Sequence, residues 1–222
     1  MSHSPRIFLP VFCVLLAAGC ATVPQQPAPQ QPDAATLTIV AEIALQRGDC
    51  PTASETYAKA AQIASAPVAH RASEVALACE DLPAAWVSVQ RWRDLAPQSR
   101  EADAMYATVA LKLYRIADAR AAVKAFLLAP PPRKPVTARR RGTHAIPNSA
   151  SADGGLADLT TLLLEESDPP EVFAALNGVI DTADASTARL TLLGELALEA
   201  YDARTAERYA LRAVRKSPKN LQ

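Results

Sequence analysis

Side chains able to do covalent or acid–base chemistry are sparse in this chain of 222 residues. Its four cysteines are Cys13, Cys20, Cys50 and Cys79, and no Cys-x-x-Cys pair exists to hold a metal or run thiol exchange. His70 and His144 are far apart, without ligand spacing, so no metal site is expected. His70, on a helix, reads as a solvated or packed side chain. Gly-x-Ser-x-Gly, the phosphate loop and the dinucleotide fingerprint are all missing. Glu165-Glu166 and Glu195/Glu199 come nearest to paired carboxylates. Adjacent residues diverge on a helix, however, and acids four apart usually mark a wet face. The sequence therefore predicts no catalytic residue, no cofactor and no enzymatic activity.

Composition narrows the class further. Half the residues are apolar and 21% charged, which excludes collagen-like, mucin-like and wholly disordered chains. Lys and Arg number 23, and so do Asp and Glu, so no net basic field gathers phosphate and nucleic acid is not an expected partner. A chain of this length makes one domain or a short repeat array.

The elements that must position anything else begin with an address. Arg6 precedes an almost wholly apolar run over 7–18, with small residues after it, the layout of a secretory signal peptide over 1–19. The run is shorter than the ~20 residues a spanning helix needs. Its end, Leu16-Ala17-Ala18-Gly19-Cys20, resembles the lipobox of bacterial lipoproteins. The resemblance implies cleavage before Cys20 and acylation of Cys20. Ala21, rather than Asp, after the cysteine implies the outer membrane, with the protein facing the periplasm of a Gram-negative cell. Four Pro and four Gln in 24–32 then favour an extended polyproline conformation, making 20–33 a tether from the lipidated cysteine.

A tetrad recurs in the remainder. It reads Glu42-Ile43-Ala44-Leu45, Glu74-Val75-Ala76-Leu77, Thr108-Val109-Ala110-Leu111, Thr161-Leu162-Leu163-Leu164 and Glu195-Leu196-Ala197-Leu198, at offsets of 32, 34, 53 and 34 residues. A small or hydroxyl residue precedes each one: Ala41, Ser73, Ala107, Thr160 and Gly194. Small or branched residues follow eight positions on from the start of the tetrads' final residue, at Ala53, Ala85, Ala119, Val172 and Ala206.

This frame resembles tetratricopeptide repeats, carried best by Arg47-Gly48-Asp49 with Ala53, Tyr57 and Ala60, and by Leu193-Gly194 with Ala206, Ala213 and Pro218. The resemblance implies an all-α, right-handed solenoid of about five helix pairs, with repeats over 34–129 and 156–222. The long offset implies a loop insertion over 130–155, disordered, Pro-rich and basic through Arg133, Lys134, Arg139, Arg140 and Arg141. That arm reads either as an electrostatic contact for anionic lipid or an acidic partner, or as a solvated insertion.

Within the implied frame, Cys50 opens one helix and Cys79 ends its antiparallel neighbour, so the two either form a disulfide or sit as separate buried hydrophobes. The frame also turns Leu45, Leu77, Leu111, Leu164 and Leu198 toward the hollow of the solenoid. Glu42, Glu74 and Glu195 border them, with Lys112, Glu165 and Glu199 alongside. Such a row either receives a partner segment bearing basic residues or completes helix packing. Trp92 falls in a core slot, and Trp86 reads as packing between repeats.

The expected function is a membrane-anchored periplasmic scaffold that binds envelope proteins through its groove. The processes implied are outer-membrane protein insertion, pilus or secretion assembly, and regulation of cell-wall enzymes. Peptidoglycan binding, anionic-lipid binding and a wall-modifying enzyme are the competing readings.

Overall fold

A computed structural model describes residues 32–130 and 152–217. The signal peptide, Cys20, most of the tether, Pro218 and the five basic residues of the arm lie outside the described residues. All elements among the described residues are helices: α1 (Ala34–Gln46), α2 (Cys50–Ile63), α3 (Ala66–Ala78), α4 (Leu82–Leu95) and α5 (Arg100–Lys112). The chain continues through α6 (Ile116–Leu128), α7 (Ala152–Glu166), α8 (Pro169–Ile180), α9 (Thr187–Glu199) and α10 (Ala203–Lys216). None is long and apolar enough to cross a membrane.

Local chemistry accounts for the helix starts. Asp33, Asp49, Asp81 and Asp202 each accept a hydrogen bond from a backbone N–H of the first turn they precede, and Ser99 and Ser186 do the same. Pro stands at the first or second position of α2, α3, α4 and α8, where its missing N–H costs nothing.

The ten helices form five consecutive pairs. Every pair but α7/α8 packs tightly on itself, α2 lies on α3, α4 on α5 and α8 on α9, and α6 packs on α8 rather than on α7. Close approach depends on the small slots: Ala41, Ser73, Ala107, Thr160 and Gly194 are all buried. The tetrads' second residues Val75, Val109, Leu162 and Leu196 are buried too. Ile43, their counterpart in α1, is 42% exposed, with no pair before it among the described residues.

Cation-to-ring contacts and ion pairs join the units. Between α4 and α5, Arg93 Nε donates to the Asp103 carboxylate at 2.8 Å while the guanidinium lies 4.1 Å over the Tyr106 ring. Burial pushes the Asp103 carboxyl up, against the pull of Arg93. Trp86 meets Tyr106 at 4.7 Å between ring centroids, so it packs between repeats. Trp92 is buried, with His70 stacked on it at 4.0 Å.

The insertion ends earlier than the composition implies. Gly154 and Gly155 read as loop, yet α7 already begins at Ala152. Asp153 sits in its first turn, accepting from Arg189 Nε at 2.8 Å and Ser186 Oγ at 3.0 Å. Gly155 is tolerated in this helix because Arg100 lies against it. A Cβ there would meet the Arg100 guanidinium at 2.4 Å, and that guanidinium also covers the Phe126 ring at 4.1 Å. Gly178 in α8 makes room for Arg120 in the same way, and Arg120 donates to the Ala174 carbonyl at 2.9 Å.

Cys50 and Cys79 are joined as a disulfide, their Cα atoms 5.4 Å apart. It staples the start of α2 to the end of α3, close to a hydrogen bond from Ser54 Oγ to Asp81 at 2.6 Å. Closing a loop of 29 residues is worth about 3–4 kcal/mol on the chain-entropy model. Urea unfolding with and without reductant, or of Cys50→Ser with Cys79→Ser, should show a loss of about that size. Equal midpoints would contradict it.

Candidate functional site: a cleft at an unclosed corner

Four of the five pairs turn their corner in one way. Gly48, Glu80, Tyr114 and Tyr201 occupy the left-handed region with φ of 73°, 57°, 55° and 61°. Each donates its N–H to the last leucine of the tetrad: Leu45, Leu77, Leu111 or Leu198. The next residue, Asp49, Asp81, Arg115 or Asp202, donates to the tetrad's alanine, Ala44, Ala76, Ala110 or Ala197. These paired bonds are the Schellman closure of a helix end. The tetrad's alanine and leucine therefore supply the acceptors that fold the corner.

The corner between α7 and α8 departs from this. Ser167 stands in the same phase but is not among the positive-φ residues, and no bond from the Asp168 N–H to Leu163 is present among the described residues. α7 also runs to Glu166, one residue past the register at which α1, α3, α5 and α9 stop. The cause is the proline that follows. In the closed corners the residue before the second helix has ψ of 76°, 77°, 65° and 75°, whereas Asp168 has ψ of 142°. A residue ahead of proline is driven to ψ near +120 to +160°, and Pro169 follows Asp168 directly. As a result α7 and α8 touch little, and α8 rests instead on α6 and α9.

A cleft of about 590 Å³ lies at this unclosed corner. The ends of α3, α5 and α7 and the starts of α4 and α8 surround it. Its apolar lining is Leu77, Leu82, Leu111 and Leu164, with Tyr114 at 73% exposure beside them. Its charged lining is Glu80, Glu165, Glu166, Asp168 and Glu171 against Lys112 alone. Lys112 pairs with Glu166 at 2.9 Å. Two oxygens of the lining, Ser167 Oγ and Glu171 Oε2, have almost no accessible surface and no hydrogen-bond partner among the described residues. No cluster of metal-ligating side chains occurs among the described residues.

The residues expected along the groove are thus divided. Leu77, Leu111, Lys112 and Leu164 come together in the cleft. Leu111, however, is 2% exposed: it is a floor closed over by packing rather than part of an open row. Leu45 and Leu198 lie outside the lining, and Leu198 is 60% exposed on the last pair among the described residues.

Glu42 and Glu74, both part-exposed, are engaged by side chains of the first two pairs. The Tyr57 hydroxyl donates to Glu42, Arg71 Nε reaches the same carboxylate at 3.1 Å, and Glu74 pairs with His70 and Arg71, each at 3.4 Å. Glu195 is exposed on α9 and does not line the cleft. Glu80, Leu82, Tyr114, Ser167, Asp168 and Glu171 escaped the sequence reading because it placed the surface along helices instead of at their corners. Asp168-Pro169-Pro170 was the available signal.

No protein-family model matches the chain, and no curated protein matches it. A solved structure, the crystal structure of MamA protein, is similar with a TM-score of 0.43 and 13% identity, covering 84% of this chain and 92% of that one. The helix-pair stack stands on the contacts and corners above.

Two expectations follow from this geometry. Pro169→Ala should free Asp168 to close the corner, slowing exchange of its amide hydrogen; an unchanged rate would mean that something other than proline holds the corner open. The second concerns acid. The Tyr57 hydrogen bond, with help from Arg71, holds the Glu42 carboxyl below its ordinary value of 4.5 despite some burial. Burial and the neighbouring carboxylate push the Tyr57 phenol up to about 12, so it stays a donor. A depressed carboxyl contributes stability that is present above its unfolded value and is lost as pH falls through the folded one. Stability should therefore decline below about pH 4.5, and Glu42→Gln should flatten part of that slope in urea titrations. Identical slopes would refute the assignment.

Proposed function

We propose that this chain is a non-catalytic scaffold held by lipid on Cys20 at the periplasmic face of the outer membrane, where it binds another envelope protein. The observation that carries the binding role is the cleft: a helix-pair stack opens at one corner onto leucines ringed by acids. Enclosed sites with convergent catalytic groups are built differently, and the pairings of His70, Glu42 and Glu74 are accounted for by packing. The envelope location is supported by the apolar run over 7–18 and by Leu16-Ala17-Ala18-Gly19-Cys20. Dual or triple acylation gives stable anchoring, since each buried CH₂ contributes about 0.8 kcal/mol. The disulfide fits an oxidising compartment. The partner would belong to outer-membrane protein insertion, to pilus or secretion assembly, or to control of cell-wall enzymes.

Fractionation and crosslinking test both halves of the proposal. Cys20→Ala should release the protein from membranes, and crosslinking in intact envelopes should recover a defined envelope protein. Unchanged membrane association would remove the anchor, and a protein that crosslinks to nothing would remove the scaffold role.

A further inference from the structure

We infer that the cleft receives an extended segment of the partner carrying arginine or lysine next to a leucine-like side chain, an inference that rests on the scaffold reading. Charge is the first reason. Glu80, Glu165, Asp168 and Glu171 have no cation opposite them among the described residues, because the lining's one lysine is matched to Glu166. The C-terminal ends of α3, α5 and α7 meet here, each adding the partial negative charge of its last carbonyls. An anionic segment is repelled by this field and a cationic one is drawn in.

The second reason is the need of particular oxygens for a donor. Glu171 Oε2 is shielded from solvent with no donor among the described residues, so turning it toward the cleft to meet one relieves an unmet demand. Ser167 Oγ, close in sequence, is in the same position. A guanidinium supplies several N–H groups in a fixed fork and satisfies a carboxylate through two of them. The third reason is shape. Leu77, Leu82 and Leu164, half-buried, offer apolar surface beside the acids, so a purely basic tail would leave that surface in contact with water. A segment that alternates basic and apolar side chains matches both parts, and a cleft of about 590 Å³ takes a few side chains rather than a domain.

The exposed face of α10 carries Arg204, Arg208, Leu211 and Arg215, so a second copy of this chain is the rival occupant.

The test presents the full-length protein in mild detergent to a display library of random peptides. Sequences that bind should be enriched in Arg or Lys with Leu, Ile, Met or Phe beside them. Synthetic versions should lose at least about tenfold in affinity to the Glu165→Gln/Glu171→Gln protein, since removing one partner of a desolvated charge pair exceeds that factor. Glu195→Gln, outside the lining, should bind as the unaltered protein does. Thermal unfolding of the three proteins should coincide, because neither Glu165 nor Glu171 has a partner to lose among the described residues.

Enrichment of neutral or acidic peptides, no enrichment, or equal binding by the double variant would overturn the inference. So would self-association that the double variant abolishes, which would give the cleft to a second copy. Envelope crosslinks that survive the double substitution would leave the scaffold reading standing while removing this one.

Discussion

Proline imposes its stiffness on the residue before it, and in this chain that constraint falls on Asp168. Four helix pairs close their corners through the same two hydrogen bonds, and the closure needs a backbone angle at the second helix's cap that a residue preceding proline avoids. The remaining pair stays ajar. The cleft's leucines, the acids around them and the two oxygens without donors among the described residues all lie at that opening. A few residues in one corner thus give the helix stack its cleft.

The rest of the stack is held by means that ask little of any single residue. Small side chains at one slot per unit let helices approach, and arginines reach across the joints to lie on rings or in the space glycines leave. Each such contact is worth about 0.5–2 kcal/mol. Their distribution fits an architecture whose stability is nearly a sum over units and neighbouring interfaces.

Much of this was legible in the amino-acid order, and the physical reasons for success and failure differ. Helix-pair periodicity was readable because burial repeats every 34 residues or so, and a tetrad with a small neighbour is a dense signal. The start of α7 was misjudged because Gly154-Gly155 argues locally for a loop, while the reason for helix there is Arg100, more than 50 positions earlier. Glu42 and Glu74 were expected at the surface groove, yet tertiary partners that no local pattern reveals claim them: Tyr57, His70 and Arg71. The site itself was half visible. Leu77, Leu111, Lys112 and Leu164 were named from the tetrad, but the acids at the corner depend on one backbone angle that periodicity does not encode.

The sulfur bridge and the unclosed corner lie at different distances along the array. Cys50–Cys79 ties the first two pairs covalently, whereas α7 and α8 share little surface. In a quasi-one-dimensional protein, cooperativity passes from neighbour to neighbour and weakens at a thin interface. The array therefore has a stapled first joint and a thin place at α7, while α9 and α10 beyond it pack closely. Fluctuations that expose backbone amides to exchange should be greatest at α7 and least beside the sulfur clasp, so the walls of the cleft differ in rigidity. The wall supplied by α3 and α4 acts as an anvil, and the wall supplied by α7 and α8 can settle against whatever is pressed onto it.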